Sequence, residues 1–368
     1  MILGESYSGR RVLVTGHTGF KGSWLSAWLL SLGADVCGYS QDIPTSPSLF
    51  ELASLSNRLE HRIADIREID AVRDAVMSFR PDFVFHLAAQ PIVRTSYTDP
   101  LETITSNVVG TANLLEALRS VDWPVTAIII TSDKCYDNVE WVWGYRETDG
   151  LGGKDIYSGS KAAAEIVFKS YWHSFFGKPE SKVRLATARA GNVIGGGDWA
   201  ADRIVADCVR AWGRGERVQI RSPSATRPWQ HVLEPLSGYL ALGAHIARTG
   251  RADGESYNFG PRSEQNHTVV QLLGDLGRIW GFEGADQAYE ITGNVPFHEA
   301  GLLKLNCDKA LLELGWEANL SYEECMSMTG LWYKQVLKDG VAAGELMFDQ
   351  IAEYERIAAE RGRVWTQA

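Results

Sequence analysis

From Arg11 to Arg189 the chain alternates short apolar runs with longer stretches whose apolar residues recur every three or four positions. The first rhythm predicts buried strands, and the second predicts helices with one apolar face. Strands are expected from Arg11, over Ala34–Tyr39, His61–Asp65, Phe83–Leu87, Val125–Thr131 and Val183–Arg189. Between them a helix is expected behind Gly22, with Trp24, Leu25, Trp28, Leu29 and Leu32 as its stripe. Further helices are expected over Arg67–Phe79, Asn107–Leu118 and Tyr157–Phe176. Pro44 and Pro47 mark Gln41–Leu49 as a loop. Val125–Thr131, with three consecutive isoleucines, is apolar on both faces, as the middle of a parallel sheet must be. This alternation predicts an α/β fold, a doubly wound parallel sheet of Rossmann type.

From Gly191 the pattern breaks. Gly195–Trp199 reads as a loop. Short strands (Val218–Arg221, Ser256–Phe259) then mix with helices over Val232–Arg248, Val269–Trp280 and Tyr322–Leu337. The expected division is a dinucleotide-binding domain over 1–192, completed by a returning helix within 232–250. A smaller mixed α/β substrate-binding domain follows over 193–368. With no repeat and no low-complexity linker, the second part should be a lid packed on the first.

In an open parallel sheet, ligands bind beyond the carboxyl ends of the strands. That rule selects Gly16–Gly22, Asp65-Ile66, Ala88-Ala89-Gln90, Ser132-Asp133-Lys134 and Ala190-Gly191-Asn192. Gly16, Gly19 and Gly22 form a tight turn at the first strand–helix junction, where a main chain free of β-carbons can meet a pyrophosphate. A purely structural turn is the alternative. Ser132-Asp133-Lys134 offers a hydroxyl, a carboxyl and an amine after the most apolar strand, though a helix cap would use the same residues. Tyr157 and Lys161 stand one helical turn apart on a shared face. An ammonium there is expected to favour the phenolate, each pKa unit corresponding to about 1.4 kcal/mol.

Composition narrows the partners. At 368 residues the chain can bury a substantial core, and its net charge of −10 comes without any long Lys/Arg run. A nucleic-acid partner and an anionic membrane surface are therefore not expected. Met1–Arg10 lacks the apolar core of a secretory signal, and no stretch reaches membrane-spanning length, so the expected location is cytoplasmic. The five cysteines are scattered, which suits reduced thiols, and no cluster at metal spacing appears, so no metal is expected. Trp141, Trp143 and Trp229 suit ring stacking, with core packing as the default.

The set Gly16-x-x-Gly19-x-x-Gly22, Asp65, Ala88-Ala89, Asn107-Val108-x-Gly110-Thr111, Tyr157-x-x-x-Lys161 and Tyr257-Asn258-x-Gly260 resembles the extended short-chain dehydrogenase/reductase family over nearly the whole chain. The longer runs Thr131–Asp137, Trp141–Glu147, Gly191–Trp199 and Arg227–Val232 are similar to its CDP-glucose 4,6-dehydratase branch. That resemblance implies NAD as cofactor, held by Gly16, Thr18, Gly19, Phe20, Lys21, Gly22, Ile66, Leu87, Ala88, Ala89, Asn107, Tyr157 and Lys161. Asp65 matches the residue that contacts adenine, with a helix cap as the plainer role. Ser40 stands where an acidic residue would hold the ribose, Asp42 follows, and no arginine is there for a 2′-phosphate, which favours NAD over NADP.

The resemblance also implies a cycle. Tyr157 takes the proton of the sugar's 4-hydroxyl as carbon 4 gives a hydride to NAD, with Lys161 on the ribose and Ser132 on the same sugar oxygen. Asp133 as acid and Lys134 as base then remove water across carbons 5 and 6, and the hydride returns to carbon 6. Related dTDP-glucose enzymes carry Asp-Glu at this pair, so Lys134 is a departure, and it must present a free amine. Gln90, Asn192, Arg203, Arg227 and His298 are the expected substrate contacts, Asn192 and Arg227 on the diphosphate. The family pattern around His298 is altered, which leaves a surface histidine open. A small-molecule nucleotide sugar is thus the expected partner. A homodimer or larger homo-oligomer is expected through the helices at Asn107–Leu118 and Tyr157–Phe176, and deoxysugar biosynthesis is the expected setting. A nucleotide-sugar 4-epimerase has no need of Asp133-Lys134, and a non-catalytic NAD sensor has no need of Ser132, Tyr157 and Lys161 together. A dehydratase for another nucleotide-glucose stays open.

Overall fold

The computed structural model describes residues 3–220, 223–262, 265, 267–292 and 302–367. Seven strands form one sheet: β1 (Arg11–Thr15), β2 (Asp35–Ser40), β3 (Glu60–Ile63), β4 (Phe83–His86), β5 (Val125–Ile130), β6 (Val183–Ala190) and β7 (Ser256–Phe259). Their order is β7-β6-β5-β4-β1-β2-β3, and every pairing is parallel. The chain reverses its direction of winding between β1 and β4, which opens a crevice at the carboxyl ends of those strands. β4 and β5 are buried at every position because helices cover both faces, which is why their residues are apolar without alternation.

The helix Phe20–Ser31 buries Trp24, Leu25, Trp28 and Leu29. Trp24 Nε1 donates to Gly196 O at 2.9 Å, and Trp28 Nε1 donates to Glu355 Oε1 at 2.7 Å. The first helix is thereby tied both to the glycine loop beyond β6 and to the helix Ala343–Glu360, which the apolar pattern did not predict. The helix expected from Asn107 begins earlier. Pro100–Ile104 runs through a wider π-helical turn, Thr105–Val109, into Gly110–Leu118. Asp155 caps the helix Ile156–Tyr171 by accepting from Ser158 N, and a second π-helical turn, Trp172–Phe176, extends it.

The main sheet does not end at residue 192. The helix Leu233–Thr249 returns along it, with Tyr7 Oη donating to Leu240 O at 2.7 Å, and β7 then pairs with β6 as the edge strand. Tyr257 and Phe259 alternating with Ser256 and Asn258 mark Ser256–Phe259 as a strand, but not which strand it joins. The smaller lobe holds the helix Ile204–Gly213, also not predicted, and short strand pairs: Val218–Ile220 with Tyr289–Ile291, and Thr226–Arg227 with His267–Thr268. Its helices Val269–Trp280 and Tyr322–Leu337 each start in a capping box, Thr268 with Gln271 and Ser321 with Glu324. All five cysteines are free thiols. Among the described residues no helix is long and apolar enough to cross a membrane, and no three metal-ligating side chains converge.

Candidate active site

One cleft of about 1220 Å³ runs over the carboxyl ends of the strands and under the smaller lobe. That exceeds the ~300–1,000 Å³ of an ordinary ligand pocket and suits two elongated ligands side by side.

At one end lies the glycine turn. Gly16 sits in the left-handed region at φ 76°, and a β-carbon on it would stand 2.7 Å from Ala88 N. A β-carbon on Gly22 would stand 2.1 Å from Gly16 O. No side chain caps the helix that follows, so its first backbone N–H groups face the cleft with the positive end of the helix behind them. This cradle fits the pyrophosphate of a dinucleotide. Lys21, Lys161 and Arg203 also line the cleft, and none is drawn into an ion pair among the described residues.

At the end of β2, Thr18 Oγ1 donates to Asp42 O at 2.6 Å. Ser40 Oγ accepts from Thr18 N at 3.3 Å and bonds His17 Nδ1 at 2.8 Å, and His17 Nε2 bonds His61 Nδ1 at 2.7 Å. The Ser40 hydroxyl is therefore already committed to shaping the turn. Beside β4, Thr15 Oγ1 bonds His86 Nδ1 at 2.7 Å and accepts from Ala88 N at 3.2 Å, which fixes the bend after that strand.

Beyond β5, Ser132 Oγ donates to Asp133 Oδ1 at 2.9 Å and accepts from Lys134 N at 3.2 Å. Burial raises the Asp133 carboxyl above its usual range, opposed by the charge of Lys134, the Ser132 hydrogen bond and Lys21. Tyr157 and Lys161 come from the helix Ile156–Tyr171 on successive turns. The expectation that Lys161 lowers the tyrosine's pKa is not met in this cleft. Burial pushes Tyr157 up to about 12, with a Ser132 hydrogen bond and Arg203 pulling it down and Asp133 and Asp155 pushing it further up. Desolvation of the phenolate outweighs the Ser132 hydrogen bond and the charge of Arg203. Lys161 itself is lowered to about 8, chiefly by burial. Lys21 falls to about 8 as well, by burial and by the charges of Arg203 and Lys161.

One turn further along that helix, Glu165 lies beneath the site. It accepts from Arg189 Nε at 2.9 Å, Arg189 Nη2 at 2.8 Å and Thr187 Oγ1 at 2.8 Å, and both partners of the ion pair are almost wholly enclosed. Despite burial, Arg189 and the hydroxyls of Thr131 and Thr187 hold its carboxyl below the usual range. The sequence reading missed this pair, although Tyr157, Lys161 and Glu165 at four-residue spacing were its visible signal.

The cleft brings together Gly16, Thr18, Gly19, Phe20, Lys21, Gly22, Ser40, Asp42, Ile66, Leu87, Ala88, Ala89, Gln90, Ser132, Asp133, Lys134, Tyr157, Lys161, Asn192, Arg203 and Arg227. Asp65 and Asn107 are not on its wall. The Asp65 carboxylate is gripped by Arg67, through its backbone N–H at 2.8 Å and its guanidinium. Asn107 accepts from Gln90 N at 2.8 Å and donates to Ser160 Oγ at 2.9 Å, which clamps the loop after β4 to the helix of Tyr157. The Gln90 amide is itself held by Thr103 Oγ1 at 2.8 Å and Ile92 O at 3.0 Å. His298 lies outside the described residues. Trp229 is buried on the cleft wall, Trp141 stacks on Tyr145, and Trp143 is exposed. The cleft also gains Arg94 and Asp202, which the sequence did not single out and which pair across its mouth at 3.1 Å.

Residues 13–329 match the family model described as GDP-mannose 4,6 dehydratase. The chain is 47% identical to a CDP-glucose 4,6-dehydratase of Salmonella typhimurium, over 91% of this chain and 93% of that one. Among solved structures it is similar to UDP-glucose 4-epimerase from Thermotoga maritima, with a TM-score of 0.76, 24% identity, and 89% and 100% of the two chains covered. It is also similar to a dTDP-glucose 4,6-dehydratase from Streptomyces venezuelae solved with NAD, with a TM-score of 0.74, 22% identity, and 88% and 97% covered. At those identities the structural likeness speaks for the fold.

Proposed function

The chain belongs to the family of the GDP-mannose 4,6-dehydratase model, and from that premise we propose that it is an NAD-dependent hydro-lyase converting CDP-glucose to CDP-4-keto-6-deoxyglucose and water. The observation that carries the reading is Asp133-Lys134 beside Tyr157 and Lys161 in one cleft, because elimination needs an acid and a base that 4-epimerisation does not.

NAD, when bound, supplies the acceptor of a hydride and later its donor. The glycine turn and the helix start at Phe20 hold its pyrophosphate. Tyr157 Oη takes the proton of the sugar's 4-hydroxyl, and Ser132 Oγ orients that oxygen. Arg203 adds positive charge that favours the phenolate, which burial opposes, and Lys161 would hold the nicotinamide ribose. Asp133 is suited to the acid's part because burial raises its carboxyl above the usual range. Lys134 Nζ takes the hydrogen at carbon 5 once the 4-ketone has acidified it. Arg203 and Arg227 hold the diphosphate, for which a guanidinium offers two parallel donors. Asp65 and Asn107 serve the site by shaping its loops. The enzyme works in the cytoplasm as a homo-oligomer, with the exposed apolar residues Leu101, Val109 and Ile166 as candidate contacts.

The test is turnover of CDP-, dTDP-, UDP- and GDP-glucose side by side, read as the ultraviolet absorbance a 4-keto sugar acquires in alkali. Signal with CDP-glucose well above the rest is expected. No signal with any of them would sink the reading.

A further inference from the structure

We propose that residues 200–203 form a strap across the mouth of the cleft, buckled to the opposite wall by the Arg94–Asp202 ion pair. The strap keeps the nucleotide sugar in place until the hydride has returned to it. The inference rests on the dehydratase reading above, in which the sugar is oxidised at carbon 4 before it is reduced at carbon 6. A sugar that leaves between those steps takes its ketone with it and leaves the hydride behind. The enzyme is then left with a reduced cofactor and cannot begin another cycle.

The loop after β6 is held differently along its length. Its first part is pinned: Trp24 Nε1 donates to Gly196 O at 2.9 Å, Tyr333 Oη donates to Asp198 O at 2.7 Å, and Arg210 donates to Trp199 O. Its tip, Ala201 and Asp202, is exposed. Among the described residues, the one side-chain bond that fastens this tip runs across the mouth, from Arg94 Nη1 to Asp202 Oδ1 at 3.1 Å. Asp202 stands in the left-handed region at φ 61°, which an aspartate tolerates, and Arg203 follows it directly. The arginine that holds the diphosphate is thus carried on the strap. The opposite wall is firm. Arg94 belongs to the helix Val93–Thr98, and Gln90 fixes the entry to that helix by accepting from Ile92 N at 2.6 Å and donating to Ile92 O at 3.0 Å. Opening therefore moves the strap and not the wall.

The strength of the buckle suits the task. The side chains of Arg94 and Asp202 are 61% and 47% exposed, and exposed pairs are weak and screened by salt. A strap must open once in every turnover, which a weak pair permits and a buried one would resist. Arg203 biases the motion toward closure while a diphosphate is present, because it and Asp202 are chain neighbours and draw the same tip inward.

The experiment measures release of CDP from the NAD-loaded enzyme by rapid displacement, and the build-up of reduced cofactor during turnover on CDP-glucose. In Arg94→Gln and in Asp202→Asn, release should quicken about two- to fivefold, and the double variant should release no faster than either. Exchanging the two charges, Arg94→Asp with Asp202→Arg, should restore the wild-type rate. Salt should quicken release from the wild type more than from the variants. The single variants should also accumulate reduced cofactor and stop early, as oxidised sugar escapes. Unchanged release in both single variants, or effects that multiply in the double variant, would overturn the strap. If the wild type binds CDP but forms no dehydrated product from CDP-glucose, the dehydratase reading fails while the release rates still judge the strap. If it binds no CDP, both fail.

Discussion

Gly22 shows how little room the turn leaves. A β-carbon there meets Gly16 O at 2.1 Å and His17 Cα at 2.7 Å, and main chain cannot swing aside as a flexible side chain can. Gly22→Ala should weaken NAD binding about tenfold or more, equivalent to at least ~1.4 kcal/mol. Calorimetric titration with NAD checks this, and unchanged affinity would mean that the turn does not hold the cofactor. Lys134→Ala should still oxidise carbon 4 while failing to release the hydrogen at carbon 5. Deuterium from heavy water entering carbon 5 at the wild-type rate would remove Lys134 from the base's role. At this scale Ser132, Tyr157 and Lys161 were legible because each belongs to a short local pattern. The ionisation of Tyr157 was not, because it depends on burial and on Arg203, both set by distant parts of the chain. Ser40 reads as a ribose contact in the sequence, yet its hydroxyl is engaged by His17, a link that only the folded turn reveals.

The helix Ile156–Tyr171 carries Tyr157, Lys161 and Glu165 on one face, and Glu165 pins that face to β6 through Arg189. The helix and the strand were each legible from their periodicity. Their joining was not, since Glu165 and Arg189 are buried charges that a one-dimensional pattern reads as surface. Breaking a buried pair strands a charge, so Arg189→Met should cost about 3–5 kcal/mol of stability near neutral pH. The pH dependence gives a second check. In the wild type the Glu165 pKa is depressed, so its contribution is present above the usual glutamate value and is lost as pH falls through the folded value. Without Arg189, burial dominates and raises that pKa, so protonation relieves the variant's penalty. The gap in melting temperature between variant and wild type should therefore narrow as pH falls toward the glutamate range. A gap that widens would contradict the account.

Across the whole molecule, the alternation of strand and helix announced the doubly wound sheet, but not its far edge. β7 and the helix Ala343–Glu360 are placed by partners far off in sequence, β6 and Trp28. The same long-range burial encloses three histidines. Burial lowers His17 to about 4, and His86 and His231 to about 3, from an ordinary 6.5. A depressed histidine pKa means that the unfolded chain binds the proton more readily, so stability is full above 6.5 and declines below it. Each such group contributes a slope of about 1.4 kcal/mol per pH unit, so together they should remove roughly 3–4 kcal/mol between pH 7 and 5.5. Urea unfolding at the two pH values checks this, and equal midpoints would show that the histidines are not enclosed as described.

The central claim is that one cleft both oxidises carbon 4 and eliminates the 6-hydroxyl. Its most direct test is the mass of the CDP-sugar recovered after incubation of the protein with CDP-glucose and NAD. The account predicts a product lighter than CDP-glucose by one water, with no net reduction of NAD. A product of unchanged mass with its 4-hydroxyl inverted would contradict it and make the protein an epimerase.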